Sequence, residues 1–510
     1  MKKSFILLLS LVLLFAGIAC YAQETLLKEK DQVHYTENVV YGDKSVVDGV
    51  IIETDVSYDY QIFWNTVYQI GEKPKEETDY EFHAIRVYDN RYSYAGSISF
   101  VPNASNIQSD PEVFLDGKEY TGLMGAFQDL YESTPLGATN TAIVYLKEYA
   151  DYYTFDIDLN LPAYEGETPD AYHNYRFMSE TELKENLENL EKTGETESDE
   201  YKELKEYMYI LETFQSYFKI PVLENEVCAI GLIKDENGLV TGWAESDSQG
   251  GMSSGDMDFP EMPDVEGADH FNIGIRSVFI DGDCYMTFDT HTYNGKLVDT
   301  SLIPGGYGLY HFIYDEKTGK INVDNLEMVY PLDTNCSIVD MISDESKKNI
   351  LLFTESESQF YLDIIDIETM TLKDTFSLGS NEAYLSSWTY DDFLVVSAEN
   401  LMVFPMGEDG RYTQAFSVSN EKINDIFSWD TTYDWNGETL LAANRIAVEG
   451  IDGWRGSYTC NFYVAAVNET GLLYYGEYAS SLQSADLENG YYESCLFNPD
   501  KEDHIRIRWN

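Results

Sequence analysis

The sequence predicts an all-β chain assembled from repeated sheets of four antiparallel strands, and three observations lead there. Apolar, β-branched or aromatic runs recur in pairs, each pair joined by a short polar turn rich in Asp, Asn, Glu and Gly, the signature of a β-hairpin. Two further strand-like runs stand upstream of several of these pairs. The 510 residues are 44% hydrophobic and 14% aromatic, enough for a large core and too apolar for general disorder.

In chain order, the opening run MKKSFILLLSLVLLFAGIACYAQ sets Lys2 and Lys3 before an apolar stretch and a cluster of small residues, the layout of a secretory leader. Cleavage after Ala22 makes residues 1–22 a signal peptide. Gly17-Ile18-Ala19-Cys20 alternatively resembles a bacterial lipobox, with Gly17 where Leu usually stands; residues 1–19 are then removed and Cys20 carries the lipid. Either product lies outside the cytoplasm, secreted or anchored to the envelope, and the only membrane contact expected is that lipid. The folded body is expected to span 33–510.

Hairpins follow at 38–53, 82–100, 228–245, 309–330, 361–379, 401–418 and 461–479. The fifth, YLDIIDIETMTLKDTFSLG, shows the plan: YLDIIDI and LKDTFSL face each other across a polar turn. Inner strand pairs are expected at 273–280 with 284–288, 336–342 with 349–354, 384–390 with 393–398, and 423–429 with 439–443. In each such set the second hairpin strand is the outermost of four.

A four-stranded sheet of this kind cannot bury both faces alone, but sheets stacked radially cover one another. The expected fold is therefore a β-propeller of seven blades. Six is the alternative, because 101–161 does not parse into strands. Closure is expected where strand-like runs at 491–497 and 504–509 complete the sheet begun by the N-terminal hairpin. Over nearly the whole body the chain resembles secreted bacterial β-propeller proteins in architecture. No repeated Gly-His and Trp-Asp, kelch di-glycine or Asp-box signature accompanies the resemblance, so no family is named.

Two segments interrupt the strands. At 179–218 a helical hairpin is expected: Ser179 stands as N-cap three residues before Glu182, with Leu183, Leu187 and Leu190 at helical spacing. Leu204, Met208, Leu211 and Phe214 then stripe a second helix, which is expected to dock on the sheet that bears it, or alternatively to form an arm for a partner. The Gly-, Ser- and Asp-rich stretch 246–267 is expected to be a flexible acidic loop.

Acidic residues outnumber basic ones 91 to 32, for a formal charge of -59 at pH 7. That field repels phosphate backbones, excludes nucleic acid as a partner and favours cationic ones. The six cysteines are scattered, without C-x-x-C spacing, and read mainly as small buried hydrophobes, with one or two bridges as the alternative.

Chemistry is sparse. Asp281, Asp283 and Asp289 are a carboxylate cluster of the kind glycosidases use, although Asp-Gly turns explain the first two more simply. The seven histidines form no zinc-ligating group, and no P-loop occurs. Asp434-Trp435-Asn436-Gly437-Glu438 partly matches an oxygen-rich loop, so the cofactor expectation is none, or a structural calcium. Gly305-Gly306-Tyr307-Gly308 is expected as a turn between blades. The candidate ligand-binding residues are Trp429, Asp430, Asp434, Trp435, Trp454 and Arg455, aromatic platforms beside carboxylates, with sheet packing as their competing use. No catalytic residue is assigned. The functional expectation is an extracytoplasmic binding or interaction protein for a protein or glycan ligand; the alternative is an enzyme that hydrolyses glycans through paired carboxylates at a channel mouth.

Overall fold

The structure is a computed structural model that describes residues 33–509, apart from 59–61, 83–96, 103–111, 161–173, 177–179, 248–249, 255–268, 315–320, 424–430, 438–439, 450–456, 482–504 and positions 116, 118, 154, 270 and 272. The leader, Cys20, Cys495 and Ser179 lie outside the described residues. The chain divides into two compact units, Met1–Arg91 with Leu378–Asn510, and Tyr92–Ser377.

The first unit opens with β1 (Tyr35–Gly42), β2 (Ile51–Tyr58), β3 (Ile62–Gln69) and β4 (Lys75–Phe82). The second begins with β5 (Ser97–Pro102), α1 (Gly122–Ser133), β6 (Ala138–Tyr145), β7 (Phe155–Asn160) and β8 (Asn174–Arg176). It continues through α2 (Glu180–Thr193), α3 (Asp199–Tyr217), β9 (Val227–Lys234), β10 (Val240–Asp247) and β11 (Gly250–Ser254). Then come β12 (Ile275–Ile280), β13 (Asp283–Phe288), β14 (Gly308–Tyr314), β15 (Ile321–Pro331), β16 (Ser337–Ser343), β17 (Asn349–Ser356), β18 (Gln359–Asp366) and β19 (Thr371–Ser380). The first unit resumes with β20 (Ser386–Thr389), β21 (Phe393–Ser397), β22 (Asn400–Pro405), β23 (Phe416–Ser419) and β24 (Thr431–Trp435). Its last strands are β25 (Leu441–Glu449), β26 (Ser457–Asn468), β27 (Gly471–Ser480) and β28 (Ile505–Arg508).

The described strands form antiparallel sheets, mostly of four. In the first unit their orders are β28-β2-β3-β4, β20-β21-β22-β23 and β1-β27-β26-β25-β24. In the second they are β5-β7-β8, β11-β10-β9-β6, β12-β13-β14-β15 and β16-β17-β18-β19. Alternation along a strand sends successive side chains to opposite faces, and both faces are buried. On β25, Leu441 and Ala443 join Phe416, Val418 and Val395 of the β20–β23 sheet. Ala442 between them joins Ile52, Tyr68 and Ile507 of the β2 sheet. In the second unit Cys284, Met286 and Phe288 of β13 face the helices and β9, whereas Tyr285 faces Ile350 and Leu352 of β17. Each fully buried Leu or Ile in these layers contributes about 1.5–3 kcal/mol.

Strand β28 pairs with β2, Ile52 opposite Ile507. The expected N-terminal hairpin at 38–53 is corrected by the same pairing, because β1 pairs with β27 instead of β2. A short 3-10 turn at Lys44–Val47, nucleated where the Asp43 carboxylate accepts from the Ser45 N–H at 2.9 Å, redirects the chain between the two sheets. The hairpin expected at 82–100 lies, at 83–96, outside the described residues; its described ends pair with β3 and β7. The other five hairpins are present. Of the inner pairs, the strand at 441–443 pairs with β24 instead of with 423–429; Ile423 closes a 3-10 turn, Asn420–Ile423, and 424–429 lie outside the described residues. Within the stretch expected as loop, Gly250–Ser254 is the edge strand β11, paired with β10. Backbone hydrogen bonds suffice for an edge strand without apolar alternation. The Gly305 and Gly306 turn, both at positive φ, joins β13 to β14 inside one sheet instead of linking two.

The helical hairpin packs inward, and Phe214 carries it onto the β12–β15 sheet, which is neither of the two sheets it links in sequence. Leu183, Leu187, Leu204, Met208, Leu211 and Phe214 are all buried, and Phe214 meets Phe312 of β14 edge to face at 5.6 Å between centroids. Gly194 ends α2 at positive φ, and the Ser198 hydroxyl caps α3 by accepting from the Tyr201 N–H at 3.1 Å. The helix α1 was not expected, although Leu123, Ala126, Phe127 and Leu130 bury at helical spacing. Its C-terminal carbonyls accept from the Lys234 ammonium, Tyr131 at 3.1 Å and Thr134 at 3.3 Å, the charge a helix C-terminus favours.

Candidate binding cleft

Docking of α3 beside the β14–β15 hairpin leaves a cleft of about 600 Å³. Its floor comes from the strand period: Tyr314, Ile321 and Val323 alternate inward and are buried. Asn322 and Asp324, one residue out of phase, are exposed at the rim, and Ile313 stands opposite Asn322. The helix contributes Glu206, Tyr209 and Ile210. Ile210 is buried, while Tyr209 remains 52% exposed and Ile313 39% exposed. Tyr209 spans the cleft, its hydroxyl donating to the Asp324 carboxylate at 2.6 Å. That hydrogen bond, with the negative charge behind it, raises the Tyr209 phenol above its ordinary range. The cleft thus joins an apolar floor of Tyr314, Ile321 and Val323, one exposed ring and two carboxylates, Glu206 and Asp324. Apolar walls with a few placed polar groups are what small binding sites use.

Of the residues singled out from sequence, Asp434 and Trp435 are described; Trp429, Asp430, Trp454 and Arg455 lie outside the described residues. Asp434 accepts from the backbone N–H of Trp509, tying the C-terminal strand to β24, and burial raises its carboxyl against the opposing effect of that bond. Trp435 packs on Phe416 at 5.4 Å. Asn436, in the loop weighed for calcium, accepts from the Leu440 N–H at 2.9 Å.

The three suspect aspartates go to separate partners: Asp281 to Lys347 at 2.6 Å, Asp283 to His311 at 2.7 Å and Asp289 to His291 at 2.8 Å. Asp281 and Gly282 have positive φ, as the Asp-Gly turn requires. A carboxylate pair that sequence reasoning missed is Glu226 with Asp269, 4% and 1% exposed and joined by a parallel bridge. Burial lifts the Glu226 carboxyl to about 7, opposed by the Tyr153 hydroxyl and the Phe271 N–H and aided by Asp269. Burial also pushes Asp269 upward, but the Asn294 N–H, the Thr292 hydroxyl and Lys296 outweigh it and hold that carboxyl low. Lys296 stands 3.2 Å away. Cys228 and Cys284 are buried thiols, and Cys336 is a half-buried one; burial pushes the last two up, away from nucleophilic thiolate.

No family model matches the chain, and no curated protein does. Among solved structures, it is similar to a putative 6-phosphogluconolactonase from Bacteroides fragilis at 8% identity and a TM-score of 0.27, over 85% of this chain and 95% of that one. It is similar to a protein from Lactobacillus plantarum at 12% identity and a TM-score of 0.24, over 55% and 71%. A β-propeller domain from Myceliophteria thermophila aligns at 10% identity and a TM-score of 0.24, over 49% and 70%.

Proposed function

We propose that the chain is an extracytoplasmic binding protein whose sheets are the seven blades of a β-propeller and whose ligand seats in the cleft between α3 and the β14–β15 hairpin. The observation that carries the reading is Tyr209, held exposed over an apolar floor by its bond to Asp324. An exposed ring held over apolar side chains offers a face on which a ligand can stack. The scaffold reading is supported by sheets whose opposite faces feed different clusters and by the pairing of β28 with β2. The leader-like run at 1–22 supports export.

Glycan hydrolysis fits less well. Glu226 and Asp269 are buried too deeply to reach a glycosidic bond, which needs two accessible carboxyl groups flanking the sugar. A thermal-shift screen of peptides and oligosaccharides tests the binding reading, because a ligand of the folded state raises the melting point. Hits are expected to lose their shift in Tyr209→Ala and in Ile313→Ser. Hits that keep it in both variants place binding elsewhere. Mass measurement of the exported protein is expected to give an N-terminus at Gln23 or a lipidated Cys20.

A further inference from the structure

We propose that the cleft receives a lysine- or arginine-bearing stretch of another polypeptide; this rests on reading the cleft as the binding site. The described lining residues include Glu206 and Asp324 and no basic side chain. The helix that supplies one wall carries five carboxylates against two lysines. One strand further in, Asp283 lies directly opposite Ile313, its side chain 44% exposed. The whole chain adds a long-range field of the same sign, -59 in formal charge, which steers a cationic partner inward.

The apolar half of the cleft decides what kind of cation fits. Ile313, Ile321 and Val323 are branched aliphatics, suited to the methylene stem of a long basic side chain, whose charged head then continues to the rim. Asp324 and Glu206 receive that head, and the Tyr209 ring gives it a π face. A sugar would want flat aromatic walls, and the lining holds one exposed ring, Tyr209, the second ring being the buried Tyr314. A bare metal ion would gain nothing from the apolar floor. Chain connectivity matters too: isoleucine and valine positions beside the carboxylates call for apolar residues next to the basic one, which a polypeptide supplies.

The test titrates the full chain, by fluorescence anisotropy, with a labelled ten-residue peptide alternating lysine and isoleucine, with its glutamate-for-lysine counterpart, and with a labelled chitin hexamer. The lysine peptide is expected to bind and the glutamate peptide not to. Asp324→Asn and Glu206→Gln are each expected to weaken the lysine peptide about five- to tenfold, the loss of one charge-assisted contact. Glu72→Gln, an exposed carboxylate of the other unit, is expected to leave it unchanged, which separates the cleft from the general field. If Tyr209→Ala abolishes binding of the hexamer while the lysine peptide fails to bind, the cleft stands as the site and the cationic partner is overturned. Equal peptide affinity in wild type, Asp324→Asn, Glu206→Gln and Tyr209→Ala overturns both readings, as does binding by none of the probes.

Discussion

Replacing Glu226 with glutamine is expected to change how stability responds to pH. Glu226 is 4% exposed, accepts from the Tyr153 hydroxyl and the Phe271 N–H, and faces Asp269, itself held by Thr292, Asn294 and Lys296. In the folded chain it releases its proton near pH 7, against an ordinary 4.5. Below pH 4.5 both folded and unfolded chains hold that proton, and the group has no effect on the balance. Between 4.5 and 7 the unfolded chain gives the proton up while the folded one keeps it, so stability falls as pH rises; above 7 the loss is complete. At 1.36 kcal/mol for each tenfold difference in proton affinity, the loss comes to about 3 kcal/mol. Urea unfolding of wild type and Glu226→Gln at half-unit steps from pH 4.5 to 8 isolates it. The remaining carboxylates repel one another alike in both proteins, and their contribution cancels in the difference. Stability of the wild type minus that of the variant is expected to fall by about 3 kcal/mol across that range. A difference constant to within about 0.5 kcal/mol would refute the buried-acid assignment.

Phe214→Ala empties a fully buried site between Phe218 and Phe312 and is expected to cost about 3–5 kcal/mol, read as a lower unfolding midpoint and faster amide exchange along α3. An unchanged midpoint would mean that the helical hairpin is not docked. Asp434→Ala removes the acceptor for the Trp509 N–H and is expected to cost about 1–3 kcal/mol. Amide exchange should quicken at Ile505–Arg508 and stay unchanged in β14; uniform quickening would show that Asp434 has no special hold on β28.

Local patterns were legible from sequence where the strand period was clean. The hairpins β18–β19, β22–β23 and β26–β27 fall where alternating runs meet a polar turn, and the helical stripe from Leu204 to Phe214 buries as its spacing requires. Pairings that depend on distant partners were not legible. Val39 and Ile51 look like two arms of one hairpin, yet β1 follows β27 and β2 follows β28, each more than 400 residues away along the chain. Gly250–Ser254 has no apolar alternation, and its strand state is imposed by β10. By contrast, α1 carries a readable signal in Leu123, Phe127 and Leu130, inside the stretch 101–161 that does not parse into strands.

The same division holds at the cleft. Tyr209 and Asp324 are 115 residues apart, and nothing in either segment marks the other. An acid beside a ring, as at Asp434 and Trp435, suits sugars as well as packing; here Asp434 accepts from the Trp509 N–H and Trp435 lies against Phe416.

A crystal structure of the chain from residue 33 onward tests the central claim most directly. The expected result is seven antiparallel sheets set around one axis, with residues 51–54 paired to 505–508 in a single sheet. Two broad sheets packed face to face with no shared axis, or residues 51–54 and 505–508 lying in different sheets, would contradict it.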